Sequence, residues 1–243
     1  MNGKASMELK KALDKCEPLE GSPHIMVTDD MDVLKIAIRS EKHSGILWDR
    51  SVDSEILEAA KLIDTLFLSS SYSHEFFPKI SEGRVFFGEN SFGGEYCGID
   101  PLIDDLNFIS SSLSDSFESY SNIRGFMHSK LRVGSGYHVD AVNVVRFMAT
   151  YAGTKGTRIV TDKISDEDYN QVTPPSPFPD ESYILDKYNV VELGLGQVFF
   201  MKSNDICKKL GIQSPVHASV GIKDGYKRCF IGADFNSPIL RVL

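Results

Sequence analysis

Apolar and polar residues follow two different rhythms along the 243 residues. In the first half, apolar positions recur every three or four residues, the spacing of a helix that buries one face. Residues 2–16 carry such a stripe at Met7, Leu9, Ala12 and Leu13, and Pro18, Gly21 and Pro23 end it. A second stripe begins after Ser51 and uses Ile56, Leu57, Ala60, Leu62, Ile63 and Leu66, with Ser51 or Asp53 as its cap and a serine-rich turn at 69–75. A third runs from Pro101 to about Ser116 through Leu102, Ile103, Leu106, Ile109 and Leu113. Its proline stands in the first turn, where a missing N–H costs nothing. Between the first two, His24–Thr28 and Gly45–Asp49 read as short buried strands, and Asp32–Ser40 fits either a helix or a strand. Residues 80–100 mix aromatics with five glycines, the composition of a hairpin or an ordered loop.

After Ser119 the rhythm shortens. Strand-like runs follow one another at Gly125–Val133, Tyr137–Asp140, Val142–Tyr151, Thr157–Thr161, Val190–Leu193, Gln197–Met201, Val216–Ile222 and Lys227–Phe235. One short helix, Ser203–Leu210, interrupts them, and the proline-rich piece at 173–179 reads as a rigid surface loop. Helices first and closely spaced strands afterwards, without regular βαβ alternation, predict an α+β protein: an antiparallel sandwich or barrel backed by N-terminal helices. No fixed-period repeat is present. The simplest organisation is one domain over 1–243, with 1–120 as mainly helical support and 121–243 as the β core.

Composition narrows the partners. Hydrophobic residues make up 42% and mean hydropathy is −0.16, ordinary values for a water-soluble globular chain. No apolar run approaches the length needed to cross a bilayer, and the charged N-terminus lacks the apolar core of a secretory signal. A net charge of −8 argues against nucleic acid as the partner and favours a small molecule or a protein side chain. Cys16, Cys97, Cys207 and Cys229 are widely spaced, with no C-x-x-C pair, and read as reduced thiols of a cytoplasmic protein.

The candidate chemistry starts in Tyr137–Thr157. His138 and Asp140 stand two residues apart, so a strand would project both from one face. An imidazole and a carboxylate make two-thirds of a metal site. The β-rich half holds one histidine after His138, namely His217, within the strand-like run P-V-H-A-S-V-G-I. Two histidines and one carboxylate with open positions suit Fe(II) that must also bind a co-substrate and dioxygen. A β-jelly roll, the fold that includes cupins, is able to bring two such distant strands together. Ten residues separate His217 from Arg228, and the Asp224–Gly225 pair between them is a tight-hairpin signal.

H-x-D, a long gap, H, and a basic residue about ten positions on resembles the Fe(II)/2-oxoglutarate-dependent oxygenase superfamily. The resemblance implies a double-stranded β-helix, iron held by His138, Asp140 and His217, and Arg228 on the far carboxylate of 2-oxoglutarate. A planar guanidinium suits that role because it donates two parallel hydrogen bonds. A second likeness covers more of the chain. H-V-D, Arg146, and T-Y-x-G-x-x-G-T (Thr150, Tyr151, Gly153, Gly156, Thr157), with the upstream A-I-R-S-x-x-x-S-G-I-L-W-D-R, resemble an uncharacterised bacterial family; Lys155 is an extra residue inside its glycine turn.

Several residues have two readings. Arg146 lies six residues after Asp140 and returns to the ligand face of a regular strand, to bind a substrate or co-substrate carboxylate or to neutralise Asp140. Tyr151 then faces the opposite side of a regular strand and belongs to the core, an orientation that a bulge would reverse; Trp48 is read as core as well. Gly153, Gly156 and Thr157 make a turn and not a phosphate loop, since G-K-[ST] is missing. The absence of G-x-S-x-G argues against a serine hydrolase. The functional expectation is an oxygenase using Fe(II) and 2-oxoglutarate, with Arg228 and Arg146 as cofactor-binding candidates and the 162–188 segment shaping the substrate entrance. The alternatives are a cupin-like metalloprotein without 2-oxoglutarate and a non-enzymatic ligand-binding jelly roll.

Overall fold

The computed structural model describes residues 3–66, 74–76, 78–81, 84–87, 98–113, 119–128, 136–141, 144–153, 156–174, 181–218 and 228–236. The chain opens with helix α1 (Gly3–Leu13), strands β1 (Glu17–Pro18) and β2 (Ile25–Thr28), helix α2 (Met31–Ala37) and strand β3 (Gly45–Trp48). Asp30 decides the segment that the pattern left open. Its carboxylate accepts from the backbone N–H groups of Asp32 and Val33 at 2.8 and 3.2 Å, starting a helix that buries Val33, Leu34 and Ala37. Helix α3 (Ser54–Leu66) follows, then β4 (His74–Phe76), the antiparallel pair β5 (Pro78–Ser81) and β6 (Arg84–Phe87), and helix α4 (Asp100–Leu113). Residues 1–120 therefore contribute strands as well as helices, and β1, β2 and β3 join the same sheet as the second half. The serine-rich turn and most of the glycine-rich 80–100 stretch lie outside the described residues.

The second half contains β7 (Ser119–His128), β8 (Val145–Ala152), β9 (Arg158–Val160), helices α5 (Asp166–Val172) and α6 (Glu181–Leu185), β10 (Val190–Glu192), β11 (Val198–Lys202), helix α7 (Asn204–Leu210), β12 (His217–Ala218) and β13 (Arg228–Asn236). Two sheets result. The large one runs β1-β2-β3-β11-β8-β13-β7-β4, antiparallel except for the β2–β3 pair. The small one runs β10-β9-β12, and a bridge between His138 and His217 extends it by one more segment. Helices α5 and α6 are seven and five residues long, too short for their periodicity to show in the sequence.

Strand alternation sorts the apolar residues into three layers. Val145, Phe147, Ala149 and Tyr151 of β8 face the N-terminal helices and pack with Leu34, Ala60, Leu102 and Ile109. Met148 of β8 faces the other way, into the space between the sheets, with Leu47, Ile159, Phe199 and Met201. A third cluster lies behind the small sheet: Tyr137, Val139, Val160, Val216 and Ala218 pack against Ile164, Val172 and Ile184. The described parts of the 162–188 segment, through Ile164, Val172 and Ile184, thus back the small sheet on the face opposite the barrel interior, while residues 175–180 lie outside the described residues.

The helical layer is tied to the barrel by one buried network. Arg50 donates from Nη1 and Nη2 to the two carboxylate oxygens of Asp105, at 2.6 and 2.7 Å, and from Nε to the Gly196 carbonyl. Tyr151 donates its hydroxyl to Asp105 at 2.8 Å, and the guanidinium lies 4.5 Å from the Trp48 ring centroid. Trp48 and Tyr151 are core residues, as the pattern predicts. Gly153 adopts a positive φ of 128°, and a Cβ on Gly156 would stand 2.0 Å from the Leu193 carbonyl oxygen, so both glycines are required by the turn into β9. Cys16, Cys207 and Cys229 are buried and form no disulfide with one another. Among the described residues, no helix is long and apolar enough to cross a membrane.

Candidate metal centre

His138 and His217 arrive from segments 79 positions apart and pair across an antiparallel bridge, with N–H···O bonds of 2.9 and 3.0 Å in both directions. Their neighbours Tyr137, Val139, Val216 and Ala218 fill the cluster behind the small sheet, and alternation sends both imidazoles to the barrel side. The ring centroids are 4.4 Å apart. Asp140 follows on the same face, and its carboxylate lies 4.0 Å from His138 Nε2 and 3.7 Å from His217 Nε2. One donor atom from each residue lies within 4.8 Å of the others, close enough for one cation to bridge all three.

The surroundings set the chemistry of the donors. His138 Nδ1 lies 2.8 Å from the Gly136 carbonyl and His217 Nδ1 lies 3.4 Å from that of Pro215. A carbonyl only accepts, so each Nδ1 carries the proton and the lone pair is placed at Nε2, towards Asp140. Burial, with His138 beside it, lowers the His217 pKa to about 4, so this imidazole is neutral near pH 7. Asp140 Oδ2 is buried and accepts no aligned hydrogen bond. Arg146 Nη1 stands 2.8 Å from it, at ion-pair distance but off the hydrogen-bonding direction. Two imidazoles that turn Nε2 towards a shared, largely buried carboxylate fit a divalent cation.

Arg146, on the inward face of β8, meets two carboxylates. Besides Asp140, it donates from Nε and Nη2 to Asp234 of β13 at 2.6 and 3.0 Å. Burial disfavours its charge, and the two aspartates more than offset that, so its pKa is raised. Asp234 escaped the sequence reading. The available signal was a lone charge inside the apolar run C-F-I-G-A-D-F, two pleats from Phe230. Arg228 opens β13 opposite His128, at a strand position of the same parity as Phe230 and Asp234; its side chain and the Asp224–Gly225 turn lie outside the described residues. His24 and His43 lie away from this group; His43 Nδ1 meets the Ser40 hydroxyl at 2.7 Å.

The two-sheet fold has solved counterparts. The dioxygenase for auxin oxidation 1 from Arabidopsis thaliana, in its binary complex with 2-oxoglutarate, is similar at a TM-score of 0.52 and 12% identity, over 88% of this chain and 92% of that one. JOX2 in complex with 2-oxoglutarate, Fe and JA is similar at a TM-score of 0.50 and 12% identity, over 92% of this chain and 78% of that one. The fold is a double-stranded β-helix. The order of helices and strands predicts its α+β class with helices packed on a sheet, and the resemblance implies the jelly roll itself. No family model matches the chain, and no curated protein matches it in sequence. At such identity the likeness establishes the double-stranded β-helix and leaves the chemistry to the residues.

Proposed function

We propose that the protein is an Fe(II)- and 2-oxoglutarate-dependent oxygenase, of the hydroxylase type, acting on a small molecule or a protein side chain. The observation that carries this reading is the convergence of His138, Asp140 and His217 on the inward side of a double-stranded β-helix. In this reading His138 Nε2, His217 Nε2 and one oxygen of Asp140 hold the iron. Iron and 2-oxoglutarate together would supply the oxidative step, in which dioxygen, 2-oxoglutarate and a C–H bond yield succinate, carbon dioxide and a hydroxylated product.

The chain's own contribution is placement. The carbonyls of Gly136 and Pro215 fix the tautomers, and the apolar cluster behind the small sheet fixes the backbone of both histidines. Phe199, Met148 and Met201 keep the barrel interior dry, which strengthens every charge contact within it. Arg228, by strand parity and by its spacing from His217, is assigned to the distal carboxylate of 2-oxoglutarate. Arg146 is engaged by Asp140 and Asp234 and is assigned to the metal-binding carboxylate instead.

The test is anaerobic addition of Fe(II) and 2-oxoglutarate to the full chain, read as the weak visible charge-transfer band of the chelate. The band is expected in the wild type and lost in His217→Ala. A folded, iron-loaded protein without it would refute the assignment. Arg228→Ala, alone and with the adjacent Lys227→Ala, should weaken 2-oxoglutarate binding while leaving iron content intact. Unchanged 2-oxoglutarate affinity in both variants would favour a metalloprotein that does not use this co-substrate.

A further inference from the structure

Arg146 presents three nitrogens to two carboxylates on different elements. Nε and Nη2 face Asp234 in a two-pronged clamp at 2.6 and 3.0 Å, and Nη1 reaches Asp140 Oδ2 at 2.8 Å. The clamp spans paired strands, since Arg146 and Asp234 are direct cross-strand partners in β8 and β13. All three groups are largely withdrawn from solvent, with side-chain exposures of 24% for Arg146, 12% for Asp140 and 13% for Asp234. Asp140 itself stands on a short stretch without regular structure, between the His138 bridge and β8. Its backbone carbonyl accepts from the Asn204 N–H at 2.8 Å, whereas Arg146 and Asp234 stand on paired strands of the large sheet.

We infer that Asp234 and Arg146 form a positioning relay for the metal-binding carboxylate. Asp234 immobilises the guanidinium through two nitrogens, and the third then stands as a fixed ion-pair partner 2.8 Å from Asp140 Oδ2. That leaves Oδ1, the oxygen on the His138 side, as the one turned to the cation. A guanidinium clamped on Asp234 by two prongs keeps its charge at a fixed place beside Oδ2, whereas a lysine ammonium cannot make that two-pronged clamp. The inference rests on the metal reading of His138, Asp140 and His217. It goes further by naming Asp234, which is not one of the three ligand-type residues, and by giving Arg146 a role towards the protein rather than towards a co-substrate.

Charge alone predicts a different pattern from positioning. Removing a nearby cation should tighten binding of a divalent metal, and removing a nearby anion should loosen it. The pair Arg146→Met with Asp234→Leu changes the net charge by zero, and because Arg146 is the nearer charge to Asp140, the remaining Coulomb effect tightens metal binding, opposite to the loss that positioning predicts. Replacing a buried ion pair by apolar groups of similar size is also compatible with folding. The experiment titrates Co(II) alone into the metal-free full chain, reading affinity by calorimetry and ligand geometry from the visible d–d spectrum. Wild type, Asp140→Ala, the double variant and Arg146→Lys are compared, with metal-free melting as the folding control.

Loss of a group that orients a metal ligand typically weakens binding by about 10–100-fold. The relay predicts that drop, with an altered spectrum, in the double variant, and a similar drop in Arg146→Lys despite its retained charge. Arg146→Lys also carries the test by itself if the double variant fails to fold. Wild-type affinity and spectrum in the double variant, or in Arg146→Lys, would overturn the relay while leaving the metal reading standing. Co(II) binding that is equal in wild type and Asp140→Ala would overturn the metal reading, and the relay with it.

Discussion

Asp105→Asn is the sharpest probe of what holds the barrel to its helices. The substitution keeps the shape of the side chain and removes its charge, leaving the Arg50 guanidinium buried without a counter-ion. Arg50 and Asp105 side chains are 9% and 6% exposed, which places the pair in the buried regime rather than among surface salt bridges. Breaking one partner of such a pair costs about 3–5 kcal/mol. For a chain of this size each kcal/mol shifts the melting temperature by about 2–4 °C. The expected fall is therefore roughly 6–20 °C by those two estimates combined. Tyr151→Phe removes only a hydroxyl that donates to Asp105 and accepts from Arg50, and should cost about 1.5–3 kcal/mol as a charge-assisted hydrogen bond. Urea unfolding measures both, and the double variant should cost less than the sum because the two groups share partners. An Asp105→Asn cost below about 1 kcal/mol, the range of exposed pairs, would refute the account. Folded Asp105→Asn and Tyr151→Phe should both bind metal like the wild type, because the network lies on the face of β8 opposite Arg146.

Three further outcomes are expected. Gly156→Ala should lower the urea midpoint by the equivalent of about 1–3 kcal/mol or more, because its Cβ would meet the Leu193 carbonyl; an unchanged midpoint would show that the turn has room. Ile184→Ala should cost about 2–5 kcal/mol and also weaken metal binding, since the cluster it belongs to backs the strand of His217; full stability in that variant would mean that the 162–188 segment is not packed there. The hydroxyls of Tyr183 and Tyr188 hold the Asp168 carboxylate at a pKa of about 2, below its ordinary 3.8. A depressed carboxylate stabilises the fold above its unfolded value, and that contribution is lost as pH falls from near 4 towards 2. Acid titration of unfolding should therefore be shallower in Asp168→Asn over that window, and identical curves would contradict the assignment.

The two likenesses noted in the sequence prove to concern different things. H-x-D with the later histidine marks the residues that converge between the sheets. The W-D-R and T-Y segments meet each other in the Arg50–Asp105–Tyr151 network, and the following glycines shape the turn into β9. They are scaffold. Neither likeness pointed to Asp234, because its role depends on standing across the ladder from Arg146, and register is invisible until the strands are paired.

By itself the sequence determined what depends on local periodicity and composition. The helices α1, α3 and α4, the closely spaced strands after Ser119, the shared face of His138 and Asp140, and the inward–outward split of Arg146 and Tyr151 all follow from periods of 3.6 and 2. Asp32–Ser40 stood at the boundary, since seven residues satisfy either period and only the Asp30 cap settles them as helix. Tertiary structure decided the rest. Which strands adjoin, how the 162–188 segment comes to lie behind the histidines, and how Arg146 is shared between Asp140 and Asp234 are set by long-range packing. A strand's neighbour is chosen by the match of whole faces, and no single stretch of sequence carries that information.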